Sequence, residues 1–217
     1  MEFGLRGRKI AVLAGSGMHR SEMEESWKAL EDAGAELHLI SASDGELAVA
    51  GGASDARAYK VHCTVDKANA DTYVALLLPG GDVSAMIGNE KATAFVRAMM
   101  ESDKPVAAVG TGAAMLIAAN AIRGRTLSAD PSLRDQIDGA GGSWVEKSIQ
   151  IDQKLFTSAS ASAIPALGKR LATEFSNKLD STKVDELSQQ SFPASDPPPG
   201  PGSIGAASSS TKPRDRG

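Results

Sequence analysis

The chain has 217 residues, 41% apolar and 23% charged, which suits one α/β domain and excludes a collagen-like, disulfide-stapled or wholly disordered protein. Net charge is −4 and no run of Lys or Arg forms a stripe, so nucleic acid, whose phosphates need clustered cations, is excluded as the main partner. The single cysteine, Cys63, makes neither an internal disulfide nor a metal-ligand cluster, and no apolar run approaches the roughly 20 residues that a membrane span needs.

The start, MEFGLRGRK, is basic, but the apolar stretch after it is too short for a signal peptide, and a cytoplasmic chain is expected. KIAVLA (Lys9–Ala14) reads as a buried strand that runs into Gly15 and Gly17. A helical pattern follows through Met23, Trp27 and Leu30, and Gly34 stands where a left-handed cap would end it. ELHLIS (Glu36–Ser41) alternates as a second strand, and Gly45 to Thr64 is strand-like but glycine-interrupted, predicting hairpin and edge structure. VALLLPGG (Val74–Gly81) is a fully apolar strand ending in Pro-Gly-Gly, followed by a helix with Ala94, Phe95, Ala98 and Met99 at helical spacing. PVAAVGTGAAMLIAA (Pro105–Ala119) gives another buried strand, a glycine turn and a helix. Strands near Trp144–Ile151 and Leu155–Ser158 and a helix from about Ile164 to Leu179 complete the body. Buried strands alternating with helices predict a single doubly wound, mostly parallel sheet covered on both faces, over residues 1–180.

Residues 181–217 differ. They hold six of the ten prolines, about half of them are Pro, Gly or Ser, and their charges cancel. Such a segment buries too little apolar surface to offset its ordering entropy, which predicts a flexible tail with at most a helical turn near Val184–Leu187. Within it, SFPASDPP resembles a segment of small bacterial proteins of unknown function, and Phe192 is its only large aromatic. A docking peptide anchored on Phe192 and a solubilising extension are equally consistent readings.

Ligands of doubly wound sheets bind beyond the carboxyl ends of the strands, where Gly15–His19, Gly80–Asp82 and Gly110–Gly112 join strand to helix. Their glycines allow sharp turns and leave N–H groups outward, suited to an oxyanion, a carboxylate or a phosphate; tight turning alone explains them as well. A dinucleotide site is not expected: in G-x-G-x-x-G register, Gly15 and Gly110 lead to Arg20 and Met115, and Ile40-Ser41 ends the second strand where an acidic residue is needed. No cofactor and no metal is therefore predicted.

The segments ALLLPGG (Ala75–Gly81), KPVAAVGTGA (Lys104–Ala113) and RGRTLSADPSLRDQIDGAGGSWVEKSIQID (Arg123–Asp152) resemble the ThiJ/PfpI, or intracellular protease I-like, family of the class I glutamine amidotransferase-like fold, from about Gly7 to Leu179. The resemblance implies cysteine-dependent chemistry on peptides, glyoxals or glycated adducts, a stress-related role, and a homo-oligomer, as dimers or larger rings. Three positions depart from the pattern. Gly110 stands at the nucleophilic cysteine, Thr111 at the histidine after it, and His19 at the carboxylate that leans on the thiol. A backbone oxyanion cradle from Gly80, Gly81 and Thr111 is what the resemblance leaves, and a cradle stabilises charge but cannot attack. Large-subunit catalases carry a similar fold without the nucleophile.

Substitute chemistry has few sources. Strand alternation in YKVHCTV puts Val61, Cys63 and Val65 on one face and His62 on the other, which makes Cys63 a small buried residue rather than half of a dyad. Thr111 as nucleophile with His19 as base is the weak catalytic candidate, and His19 alone reads as a loop histidine or a contact for a cradled anion. Glu22 and Glu25 share a face of the first helix. Glu22 matches a family glutamate near the active site, though acidic residues suit a helix start for dipole reasons alone. His38 is expected to be structural, without a partner, and Trp27 and Trp144 to be packing residues. The expectation is a binding or regulatory protein for a small-molecule or anionic ligand, with a non-cysteine hydrolase, glyoxalase or deglycase as the alternative.

Overall fold

The computed structural model describes residues 5–50 and 58–160 together with Lys169 and Thr173, all inside one compact unit, Met1–Ser181. Apart from Lys169 and Thr173, the expected last helix lies outside the described residues, as do the tail and Phe192. In chain order the elements are β1 (Lys9–Leu13), β2 (Met18–His19), α1 (Arg20–Asp32), β3 (Glu36–Ser41), β4 (Glu46–Leu47), β5 (Val49–Ala50), β6 (Tyr59–Lys60) and β7 (Cys63–Thr64). After them come β8 (Ala75–Leu78), α2 (Ser84–Ile87), α3 (Glu90–Glu101), β9 (Val106–Val109) and α4 (Ala114–Ala118). The described part ends with β10 (Thr126–Leu127), α5 (Arg134–Gly139), β11 (Ser143–Trp144), β12 (Ile149–Asp152) and β13 (Leu155–Ser158).

Among the described residues, seven strands form the central sheet in the order β12-β13-β9-β8-β1-β3-β7, parallel throughout except where β12 pairs antiparallel with β13. The chain leaves β1 toward β3 on one side and returns to β8 on the other, so the strand order reverses beside β1. That reversal opens a crevice at the carboxyl ends of β1 and β8.

Strands in the middle of such a sheet are buried on both faces, which is why their sequences are continuous apolar runs. Along β1, Ala11 and Leu13 join the layer formed by α2, α3 and α4, with Met86, Phe95, Val96, Met99 and Leu116. Ile10 and Val12 point the other way, into the layer with Met23 and Leu30 of α1 and Phe156 of β13. The doubly wound α/β class predicted from sequence is the observed one.

Local differences have local causes. Ala94 is exposed, and α3 buries Ala92, Phe95, Val96 and Met99 instead. Asn89 fixes this phase by capping the helix, its side chain accepting from the N–H groups of Lys91 and Ala92. The single strand expected near Trp144–Ile151 is two, β11 pairing with β10 and β12 closing the main sheet. The glycine-interrupted stretch forms the antiparallel β4–β6 pair and the edge strand β7, as its pattern suggested.

Cys63 departs from expectation. Val61 packs into the α1 layer and Val65 into the opposite one, while Cys63 is only half-buried. The chain bends at His62 and β7 is two residues long, so alternation does not carry from Val61 to Val65.

Candidate functional site

The loops after β1, β8 and β9 converge as their glycines suggested. The loop after β1 runs antiparallel to the loop after β8. His19 N–H donates to the Gly80 carbonyl (3.1 Å), Asp82 N–H donates to the Gly17 carbonyl (3.2 Å), and Met18 bridges Gly81. Gly81 has φ +124°, and a Cβ there would lie 2.6 Å from the Gly17 carbonyl oxygen and 2.8 Å from His19 N, so no other residue lets the two loops touch.

The turn after β9 locks onto the same loop through one side chain. Gly81 N–H donates to Thr111 Oγ1 (2.8 Å), and the Thr111 hydroxyl donates to the Gly81 carbonyl (2.9 Å). This reciprocal pair commits both the donor of the expected cradle and the hydroxyl proton of the candidate nucleophile. An anion that takes the Gly81 N–H has to displace the Thr111 hydroxyl. Gly112 lies beneath the end of β8, where a Cβ would sit 2.7 Å from the Pro79 carbonyl oxygen.

Gly110 opens this turn with φ +53° directly after β9. Its carbonyl accepts from Asp130 N–H (3.3 Å), which brings a fourth loop to the cluster. Asp130 precedes Pro131 and caps the short turn Pro131–Leu133, its Oδ1 accepting from Ser132 N–H (2.9 Å) and Ser132 Oγ (2.6 Å). The Ser132 side-chain bond, then its backbone bond, hold the Asp130 carboxyl below the ordinary carboxylate range, and His19 adds a smaller push in the same direction. His19 and Asp130 therefore share the rim. The sequence reading passed over Asp130, although Asp-Pro-Ser is the signature of a capped turn.

The fourth loop is anchored from below. Buried Ser128 donates twice, its N–H to Thr157 Oγ1 of β13 (2.9 Å) and its hydroxyl to the Lys147 carbonyl. Trp144 Nε1 donates to the Ala129 carbonyl (3.2 Å), with Arg134 over its ring at 5.3 Å, so this tryptophan positions the rim as well as packing. Trp27 packs against Tyr59 with ring centroids 5.4 Å apart.

The remaining candidates stand apart or at the margin. Glu22 lies in the first turn of α1 and its side chain is outside the described set, whereas Glu25 is exposed. Cys63 lies on the edge strand, with β3, β1 and β8 between it and β9. At about 4.8 Å per strand, that is about 19 Å across the sheet from the Gly110 turn. Its Sγ is 3.8 Å from Tyr73 Oη, and Tyr73 Oη is 3.5 Å from His38 Nδ1. His38 is thus not partnerless: Glu36 Oε1 is 2.7 Å from its Nε2, and its ring stacks on that of His62. Among the described residues no group of three His, Cys, Asp or Glu is placed to hold a metal, and no helix is long and apolar enough to cross a membrane.

Comparison with known proteins agrees with this architecture. The chain is 32% identical over 145 residues to Deglycase PH1704 of Pyrococcus horikoshii, covering 66% of this chain and 85% of that protein. It is 32% identical over 165 residues to General stress protein 18 of Bacillus subtilis, covering 75% and 95%. The crystal structure of a ThiJ/PfpI domain protein from Brachyspira murdochii superposes with a TM-score of 0.71 at 14% identity, covering 78% of this chain and 96% of that one. The sheet order, the glycine loops and the turn after β9 lie within residues 8–174, which match the DJ-1/PfpI family model, and the chain belongs to that family.

Proposed function

We propose that this chain is a stress-related, cytoplasmic binding or regulatory member of its family, which takes a small anionic ligand at the loops around Gly81, Gly110 and Thr111 without attack by a cysteine. One observation carries the reading: the turn after β9 is kept at φ +53° by Gly110, which has no side chain to attack with. A thiol nucleophile needs to sit within bonding reach of the bound ligand, and Cys63 is about 19 Å away across the sheet. Thr111 does not replace it, because its hydroxyl proton is held by the Gly81 carbonyl.

The second reading, a deglycase-like or hydrolytic enzyme of non-cysteine mechanism, is favoured by the name of the relative Deglycase PH1704. It would draw on His19, Thr111 or a water at the rim. The test is loss of methylglyoxal and cleavage of a fluorogenic peptide by the purified protein, beside Cys63→Ala, Thr111→Val and His19→Ala variants. The expected result is no turnover above the protein-free control in any of them. Turnover that falls in Thr111→Val or His19→Ala establishes the second reading, and turnover abolished by Cys63→Ala overturns both.

A further inference from the structure

Strand β3 carries a second cluster of titratable groups, on the sheet edge and away from the loop site. In a parallel ladder the N–H and C=O of one residue face the same neighbour. Leu39 turns both toward the β7 side. Its carbonyl accepts from His62 N–H (2.8 Å), as a strand partner would provide. Its N–H, however, donates to a side chain, His62 Nδ1, at 3.1 Å. The imidazole stands in for a backbone carbonyl just before β7 begins, where Ile40 pairs with Cys63. Leu39 is fully buried, so its N–H has no cheap alternative partner.

This bond dictates a protonation state. A ring nitrogen that accepts from an N–H carries no proton, so His62 is neutral with its proton on Nε2. Adding a proton to Nδ1 sets donor against donor. The groups that face the His62 ring decide how readily that happens. His38 of β3 stacks on it, with centroids 4.8 Å apart and planes 11° apart, and Lys60 of β6 adds positive charge. Glu36 of β3 favours the charged ring, but it is bonded to His38 Nε2, and Lys9 lies beside it. Tyr73 meets the far side of His38, and Cys63 lies beyond Tyr73. A charge on His38, stacked against the face of His62, opposes a second one on His62.

We propose that the stacked His38–His62 pair is an acid-sensitive latch on the sheet edge, holding the His62–Thr64 stretch on β3 while His62 is neutral and releasing it when His62 is protonated. Burial first, and then the charge of His38, lower the His62 pKa in the folded chain. A base whose folded pKa is depressed contributes stability fully above its ordinary pKa of about 6.5, and that contribution is lost as pH falls through the folded value. The latch is closed at neutral pH and opens as pH falls below the ordinary histidine range. Release bares the Leu39 N–H on an open strand edge.

Amide hydrogen exchange on the full chain tests this, with each rate corrected for its intrinsic pH dependence. Between pH 7.5 and pH 5, protection at Leu39 is expected to fall at least tenfold, while Val12 of β1 and Leu77 of β8 keep theirs. His62→Gln, whose side-chain carbonyl accepts but does not titrate, is expected to remove the pH dependence at Leu39. Constant protection at Leu39, a parallel fall at Val12 and Leu77, or the same fall in His62→Gln would each overturn the latch. If that variant does not fold, nitrogen-15 spectra of wild-type His62 decide instead. Nδ1 should be unprotonated at pH 7.5 and titrate with the same midpoint as the Leu39 amide shift; a protonated Nδ1 at pH 7.5, or a different midpoint, refutes the proposal.

Discussion

Replacing Thr111 with Val keeps the shape of the side chain and removes only its hydroxyl, which isolates the reciprocal pair with Gly81. Two hydrogen bonds are lost, at 2.8 and 2.9 Å, and the Gly81 N–H and carbonyl are left without that partner. A net hydrogen bond is worth about 0.5–1.5 kcal/mol, and a stranded buried group costs about 1–3 kcal/mol. Thr111 and Gly81 are half-buried, so water recovers part of the loss, and the sum settles near 2 kcal/mol. In a domain of this size that lowers Tm by about 4–8 °C. Urea denaturation followed by circular dichroism should show a lower midpoint at unchanged slope. Thr111→Ser, which keeps the hydroxyl, should stay close to wild type. A Thr111→Val variant within about 0.5 kcal/mol of wild type, the usual scatter of surface changes, would refute the claim that this hydroxyl holds the loops together.

Two further outcomes follow from the same cluster. Gly112→Ala forces a Cβ against the Leu78 and Pro79 carbonyls, which are backbone and cannot swing aside, so a loss above about 4 kcal/mol is expected; a melting temperature within 2–3 °C of wild type would contradict it. Ser132→Ala removes the main cause of the depressed Asp130 pKa. A carboxylate with a lowered folded pKa stabilises above its ordinary value near 4 and loses that contribution as pH falls through the folded one. The stability gap between wild type and Ser132→Ala should therefore be present at pH 7 and narrow towards pH 3. A gap that does not change with pH would mean that Asp130 is not the group involved.

The parts of the fold that sequence revealed are those with short-range causes. Val74–Leu78 and Val106–Val109 read as buried strands because both of their faces are covered, and the Pro-Gly-Gly and Gly-Thr-Gly turns mark their ends. The convergence of three glycine loops followed from placing them all at carboxyl ends. What was hidden depends on partners far along the chain. Thr111 and Gly81 are thirty residues apart, and nothing in Gly-Thr-Gly says that the hydroxyl closes on the neighbouring loop. Asp130 was legible as a cap, but not as a group beside Gly110 and His19. The edge cluster was half legible. Glu36 and His38 alternate onto one side of β3, a signal present in ELHLIS, whereas His62 reaches Leu39 only because the chain bends before β7.

The geometry of the turn after β9 bears on why glycine stands at 110. Val109 is extended, at φ −121° and ψ 133°, and within three residues the chain must pass beneath the Leu78 and Pro79 carbonyls at Gly112. The close approach of Gly112 to the end of β8 leaves no room for a side chain at that point of the turn. Any residue placed at φ +53° other than glycine pays about 1–2 kcal/mol for the left-handed backbone. A catalytic side chain justifies such a cost by its chemistry, whereas a turn that only binds is more stable without one. Glycine at 110 is the residue that stability alone favours there. The same packing gives Thr111 its place, with a hydroxyl that ties the turn to Gly81 by donating to its carbonyl and accepting from its N–H.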